Sequence, residues 1–151
     1  MVNQVEPKLL QPLVDFLQTE RIVLLSTIDY ETGAPNVSAI SWVYAKNAQT
    51  ILFSVDNRSR IVKNIKHNPK IVISLMANES IYSISGDAQI IQERMENIPL
   101  KLALIKLDIH EVRDVMFYGS KITVLPRYDK TYDLNAAKKL DNQVMEAMKK
   151  A

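Results

Sequence analysis

The chain predicts a mainly β fold, a small antiparallel barrel of six strands whose ends are closed by short peripheral helices. Three observations carry that expectation. Strand-length runs rich in Val, Ile and Leu recur through the first two thirds of the sequence. The connections between the first three runs are too short for parallel crossovers, which need a dozen or more residues. Finally, 47% of the 151 residues are hydrophobic and 24% are charged, the balance of a globular chain with one core.

Taken in order, Leu9, Leu10, Leu13, Val14 and Leu17 recur at three- and four-residue spacing, which predicts an amphipathic first helix. Pro12 would break a hydrogen bond in its interior, so the helix begins near that residue or bends there. "RIVLLSTI" is the first strand, and Gly33 and Pro35 mark the turn after it. "VSAISWVYA" reads as one second strand and "TILFSV" as the third, together forming a meander. "SRIVKNIKHN" has Ile61, Val62 and Ile65 at helical spacing, with Asn57 or Ser59 to cap it and Asn68-Pro69 to stop it. "KIVISLM" and "SIYSISGDAQIIQE" are two further strands, Gly86 marking a bulge or a close backbone approach. Residues 96–117 read as helical by pattern, with Pro99 in the first turn and a break at Asp108. "SKITVLP" supplies the sixth strand. From Asn135 to Lys150, Leu140, Val144 and Met148 fall on one face of a closing helix, with the lysines mostly off it. No repeat, low-complexity tract or linker interrupts the chain, so residues 1–151 read as one domain.

Composition removes several functions. There is no cysteine, which excludes disulfides, thiolate nucleophiles and Cys-based metal sites. His67 and His110 form no ligand-spaced pair, so no metal is expected. Nineteen basic residues against 17 acidic ones give a net charge of +2, not that of a general polyanion binder. "MVNQVEPKLL" lacks a basic region followed by an apolar core, and no apolar run is long enough to cross a bilayer. A cytoplasmic protein without membrane contact is expected.

Charge is nevertheless concentrated locally. Between Phe53 and Lys70 the chain carries Arg58, Arg60, Lys63, Lys66 and Lys70, with no acid after Asp56. A strand leading directly into a helix start gathers unpaired backbone N–H groups and the positive end of the helix dipole. With Ser59 and Arg60 in the first turn and Lys63 a turn later, such a place suits a phosphate monoester. The same run also fits a solvated basic helix face.

Residues 25–74, "LSTIDYETGAPNVSAISWVYAKNAQTILFSVDNRSRIVKNIKHNPKIVIS", resemble the FMN-binding split barrels of the pyridoxamine 5′-phosphate oxidase-like superfamily. The shared features come in order: an acidic Gly-Pro turn after a strand, a second strand, "ILFSV", "SRIVKNI" and "NPKIVIS", with "YSISGDAQII" as the next strand. The resemblance covers residues 10–95 well and the rest loosely. It implies a six-stranded antiparallel split β-barrel that is dimeric, a homodimer binding FMN between its subunits. Carried over by position, Ser38, Ala39, Ile40, Ser41 and Trp42 would line the flavin ring. Ser54, Val55, Ser59 and Arg60, with Lys63 nearby, would hold the phosphate. The implied activity is an FMN-dependent oxidoreductase passing hydride or electrons to or from a small molecule that the sequence does not name; no catalytic residue is singled out.

Three departures place the chain in the general-stress and flavoprotein branch, away from the true oxidases. Ile61 stands where the family often has lysine after the arginine. Ile81 stands where the oxidases have a glutamine near the flavin. The C-terminal tryptophan-arginine segment of the oxidases is missing, so oxidation of pyridoxamine phosphate is not expected. A non-catalytic flavin-binding sensor or carrier is the alternative function, and a related deazaflavin is an alternative to FMN. A nucleic-acid-binding barrel is a third reading, against which aromatic residues are only 7% and none lines the basic run. Several side chains have structural roles as their other reading. Trp42 can be a core anchor, His67 suits a helix C-terminus, and Tyr118, Tyr128 and Tyr132 suit either a substrate pocket or a subunit contact.

Overall fold

A computed structural model of the chain describes residues 5–151. Residues 1–4, part of the stretch read as carrying no signal peptide, lie outside the described residues. The elements are β1 (Val5–Glu6), α1 (Gln11–Phe16), β2 (Val23–Ile28), β3 (Pro35–Ile40), β4 (Val43–Asn47) and β5 (Thr50–Asp56). They are followed by α2 (Arg60–His67), β6 (Lys70–Ala77), β7 (Ser80–Gln92), β8 (Leu102–Asp114) and α3 (Leu134–Lys150). All strand pairs are antiparallel, in the order β3-β2-β6-β7-β8-β5-β4, with β1 added beside β8.

That order explains why the sheet curls. β3 and β4 lie at opposite ends of the order, yet only Ser41 and Trp42 separate them in the chain. A two-residue link spans at most about 10 Å, so the two edges are forced together without pairing. The result is a barrel left open between β3 and β4. The expected meander is thus corrected: "VSAISWVYA" is two strands, the first bound to β2 and the second to β5.

Two apolar clusters form. The larger fills the barrel and includes Val23, Leu25, Ile51, Phe53, Ile73, Leu75, Ile84, Ile105 and Leu107. The smaller lies outside it, where α3 lays Val144, Met145 and Met148 over Leu52, Leu102, Leu104 and Met95. β5 and the first part of β8, Leu102–Ile105, are therefore buried on both faces. This accounts for the largest error in the sequence reading, since residues 96–117 are not helical but contain the 13-residue strand β8. A strand covered on both sides is apolar at consecutive positions, and Leu102-Ala103-Leu104-Ile105 followed by Leu107 and Ile109 imitates helical spacing. "SKITVLP" forms no strand. It lies in residues 115–133, which contain neither helix nor strand, and Val124 is exposed.

Two further expectations, at Pro12 and at Gly86, hold. Pro12 sits in the first turn of α1. Asp133 caps α3, its carboxylate accepting from the Ala136 N–H at 2.9 Å. Gly86 is required, because a Cβ there would collide with the Asp108 carbonyl, and the β7–β8 register shifts at that point. No helix among the described residues is long and apolar enough to cross a membrane.

Candidate functional site

The basic stretch becomes the start of α2, directly after β5. Ser59 is the N-cap residue, with extended backbone (φ −70°, ψ 157°), but its side chain makes no capping bond. Its Oγ is buried and has no partner, the only such side-chain atom among the described residues. Buried hydroxyls are ordinarily satisfied, so this one marks a place where a group from outside can bond. Of the first N–H groups of α2, that of Val62 donates to the Ser59 carbonyl at 3.2 Å, which leaves those of Arg60 and Ile61 at the same point.

Arg60 leans across to the β2–β3 turn. Its Nη1 donates to Asp29 Oδ1 at 2.7 Å, its Nη2 reaches Glu31 Oε1 at 3.4 Å, and its Cζ lies 5.0 Å from the centre of the Tyr30 ring. Lys63 places its Nζ 6.0 Å from the same ring. Burial opposes ionisation of Asp29, but the N–H groups of Thr32 and Glu31 and the Arg60 guanidinium outweigh it, holding the carboxyl below its ordinary range. Tyr30 is pushed up, first by its hydrogen bond to Glu31 and then by burial and the nearby carboxylates. The Arg60 side chain remains 51% exposed, while that of Asp29 is only 7% exposed. Arg60 thus has a fixed inner partner and an outer edge that faces solvent. Arg58 does not share this corner and pairs with Asp56, both well exposed.

Asn64 joins α2 to the β2–β3 hairpin, a role that sequence reading missed. It is 1% exposed, donates to Thr27 Oγ1 and Asn36 Oδ1 at 2.9 Å each, and accepts from the Tyr30 N–H at 2.9 Å. The only signal was a polar residue on the Ile61–Val62–Ile65 face. Ile61 is buried in the barrel cluster, so the residue found where relatives often have lysine serves packing.

The ring-lining candidates divide into two groups. Ser38, Ala39 and Ile40 lie on β3, an edge strand paired with β2 alone. Ala39 and Val37 are exposed, and Leu24, opposite Ala39, is exposed beside them. Ser41 and Trp42 form the link to β4 and have other partners. Ser41 Oγ donates to Glu20 Oε2, and Trp42 Nε1 donates to Asp141 Oδ1 of α3 at 2.9 Å. Lys130 sits between those two carboxylates, 2.7 Å from Glu20 and 3.1 Å from Asp141. Burial disfavours the charged lysine, but hydrogen bonds to Glu20 and Asp141 outweigh that and raise its pKa.

Of the remaining phosphate candidates, Ser54 is 2% exposed and its Oγ bonds Met95 Sδ at 3.2 Å, while the Val55 side chain lies in the barrel core. The structure therefore brings Ser59, Arg60 and Lys63 together, and turns the Ser54 and Val55 side chains elsewhere. Tyr128 lies by Lys130, its ring centre 5.8 Å away, whereas Tyr118 is 91% exposed. Among the described residues no three His, Asp or Glu side chains are grouped to hold a metal ion.

Residues 9–116 match the pyridoxamine 5′-phosphate oxidase family. Among solved structures, a Lactobacillus delbrueckii protein whose description carries the oxidase's name is 18% identical with a TM-score of 0.61. It covers 74% of this chain and 98% of its own. HupZ of Group A Streptococcus is 16% identical with a TM-score of 0.59, covering 75% and 98%. General stress protein 26 of Bacillus anthracis is 17% identical with a TM-score of 0.54, covering 66% and 87%. No curated protein matches the chain in sequence. The family match spans well over half of the chain and agrees with the barrel geometry: the chain belongs to the pyridoxamine 5′-phosphate oxidase-like split-barrel superfamily.

Proposed function

We propose that the chain is an FMN-binding flavoprotein of the cytoplasm, acting as a homodimer on a small molecule. The observation that carries this reading is the unpartnered Ser59 hydroxyl at the start of α2, with Arg60 and Lys63 beside it. A phosphate monoester suits this set. Its oxygens accept from Ser59 Oγ, from the first N–H groups of α2 and from the solvent-facing edge of Arg60, while Lys63 adds charge. Asp29 keeps Arg60 in place by binding its inner edge. Displacing Glu31 costs little, because that contact is long and exposed.

The β3 edge supplies a different kind of contact. Its free row of backbone N–H and C=O groups can bond the polar rim of a flat heterocycle, and exposed Ala39 leaves room beside it. Bound FMN would supply hydride or electron transfer. The described side chains offer no Ser-His-Asp arrangement of their own, so their part is to bind and orient. Phe117, Tyr118, Val124 and Leu134 are all exposed by two thirds or more, an apolar surface that a second copy would cover.

The test is the visible absorption spectrum of purified protein, with mass spectrometry of whatever heat releases. A flavin spectrum and the mass of FMN are expected; a colourless protein that takes up no added FMN contradicts the proposal. Sedimentation equilibrium at micromolar concentration should give twice the 17.2 kDa chain mass. A monomer that binds FMN tightly would remove the shared site.

A further inference from the structure

The cations of the basic run are not partnered alike. Arg58 pairs with Asp56, Lys66 with Glu93 and Lys70 with Asp87. Arg60 is held at its inner edge by Asp29. Lys63 forms no ion pair among the described residues; its Nζ lies instead 6.0 Å from the centre of the Tyr30 ring. The Cζ of Arg60 lies 5.0 Å from that same centre. One ring, from the turn between β2 and β3, therefore meets two cations from the first turns of α2.

The kind of partner decides what a cation can still do. A carboxylate cancels the charge it holds, whereas the negative face of an aromatic ring attracts a cation and leaves its charge intact. Lys63 has a long flexible stem that would otherwise sample many rotamers in solvent. Like charges at one corner also repel, so Lys63 stays beside Arg60 only if something holds it there. Tyr30 is itself fixed to α2. Its N–H donates at 2.9 Å to Oδ1 of Asn64, which is 1% exposed, and the preceding Asp29 binds Arg60 at 2.7 Å. The Tyr30 hydroxyl is engaged separately, by Glu31.

Resting on the phosphate reading above, we propose that Tyr30 is a positioning residue of this site. Its ring face gathers Arg60 and Lys63, without neutralising either, where a phosphate monoester is received. Tyr30 acts through the two cations rather than on the ligand. It orders them before the ligand arrives, so that less side-chain entropy is lost on binding. Its effect falls on ligands that carry the phosphate and spares those that lack it.

The experiment uses the full chain as wild type, Tyr30→Phe, Tyr30→Leu and Tyr30→Gln, each first examined for folding by circular dichroism. FMN and riboflavin are titrated by flavin fluorescence quenching. Tyr30→Phe keeps the ring and should retain the wild-type preference for FMN over riboflavin. Tyr30→Leu and Tyr30→Gln should lose roughly 3- to 10-fold of that preference, the scale of one to two exposed cation–π contacts, with riboflavin affinity unchanged. In ligand-free wild type and Tyr30→Phe, NMR should show the ε-methylene protons of Lys63 shifted upfield by the ring, and those of Lys66 not. That shift decides the matter should both ring-less variants unfold. Its absence, a full FMN preference in the ring-less variants, or equal losses for FMN and riboflavin overturns the role of Tyr30 and leaves the phosphate reading standing. A loss in Tyr30→Phe as large as in Tyr30→Leu overturns it too, by placing the effect in the hydroxyl. If wild type binds FMN no better than riboflavin, the phosphate reading fails and the positioning role with it.

Discussion

The start of α2, which follows the end of β5, and the face of β5 and β8 beneath α3 are built on opposite terms. At the first, charged and polar side chains converge around an unpartnered hydroxyl, and the outer edge of Arg60 meets solvent. At the second, Leu52, Leu102 and Leu104 are sealed by Met95, Val144 and Met148, with polar groups confined to the rim. On the proposed reading the first region receives a ligand, whereas the second is already occupied by the chain itself. Assigning both to one cofactor by sequence position therefore combines an accessible half with a covered half. Position along a strand tells which residues are near a ligand, but not which neighbours have claimed them.

The comparison can be broken most severely at its polar side. Asn64→Leu should destabilise the protein by about 3 kcal/mol, because the Thr27 hydroxyl, the Asn36 amide oxygen and the Tyr30 N–H all lose a buried partner. Urea denaturation measures it, and a change below about 1 kcal/mol would show that Asn64 does not join the hairpin to α2.

On the apolar side a smaller loss is expected. Val144→Ala removes two methyl groups from a fully buried position and should cost about 1–2 kcal/mol. If α3 opens locally, hydrogen exchange will speed up in α3 far more than in β6 or β7. Uniform acceleration would mean that α3 and the barrel unfold as one unit, and that the two regions are not independent.

The smallest expected effect is no effect. With FMN supplied, peroxide production from pyridoxamine or pyridoxine 5′-phosphate should stay at background. The lysines of α3 (Lys138, Lys139, Lys149 and Lys150) are exposed rather than turned into a pocket. Turnover on the order of 1 s⁻¹, ordinary for an enzyme on its own substrate, would show a substrate site that this comparison lacks.

These contrasts also show what the sequence could reveal. The run Arg58, Arg60, Lys63 stood out because charge without nearby acid is visible in one dimension, and the α2 boundaries followed from Ser59 and Asn68-Pro69. Asp29, the fixed partner of Arg60, lies 31 residues away and could be found only once the hairpin folded over. β8 was misread because burial on both faces removes the two-residue alternation by which strands are recognised. The burial of Ser54 has the same origin. Its strand was read correctly, but the covering helix was identified only as a helix, and nothing in its pattern says which strands it will lie on.

The central claim is that the start of α2 holds the phosphate of FMN. The most direct measurement compares FMN with riboflavin, which has the same ring and no phosphate, by flavin fluorescence quenching on wild type, Arg60→Ala and Arg58→Ala. Wild type should prefer FMN by roughly ten- to a hundredfold, the scale of one or two charge-assisted hydrogen bonds. Arg60→Ala should remove most of that preference and Arg58→Ala little of it. Equal binding of FMN and riboflavin by wild type, or equal losses in the two variants, would contradict the account.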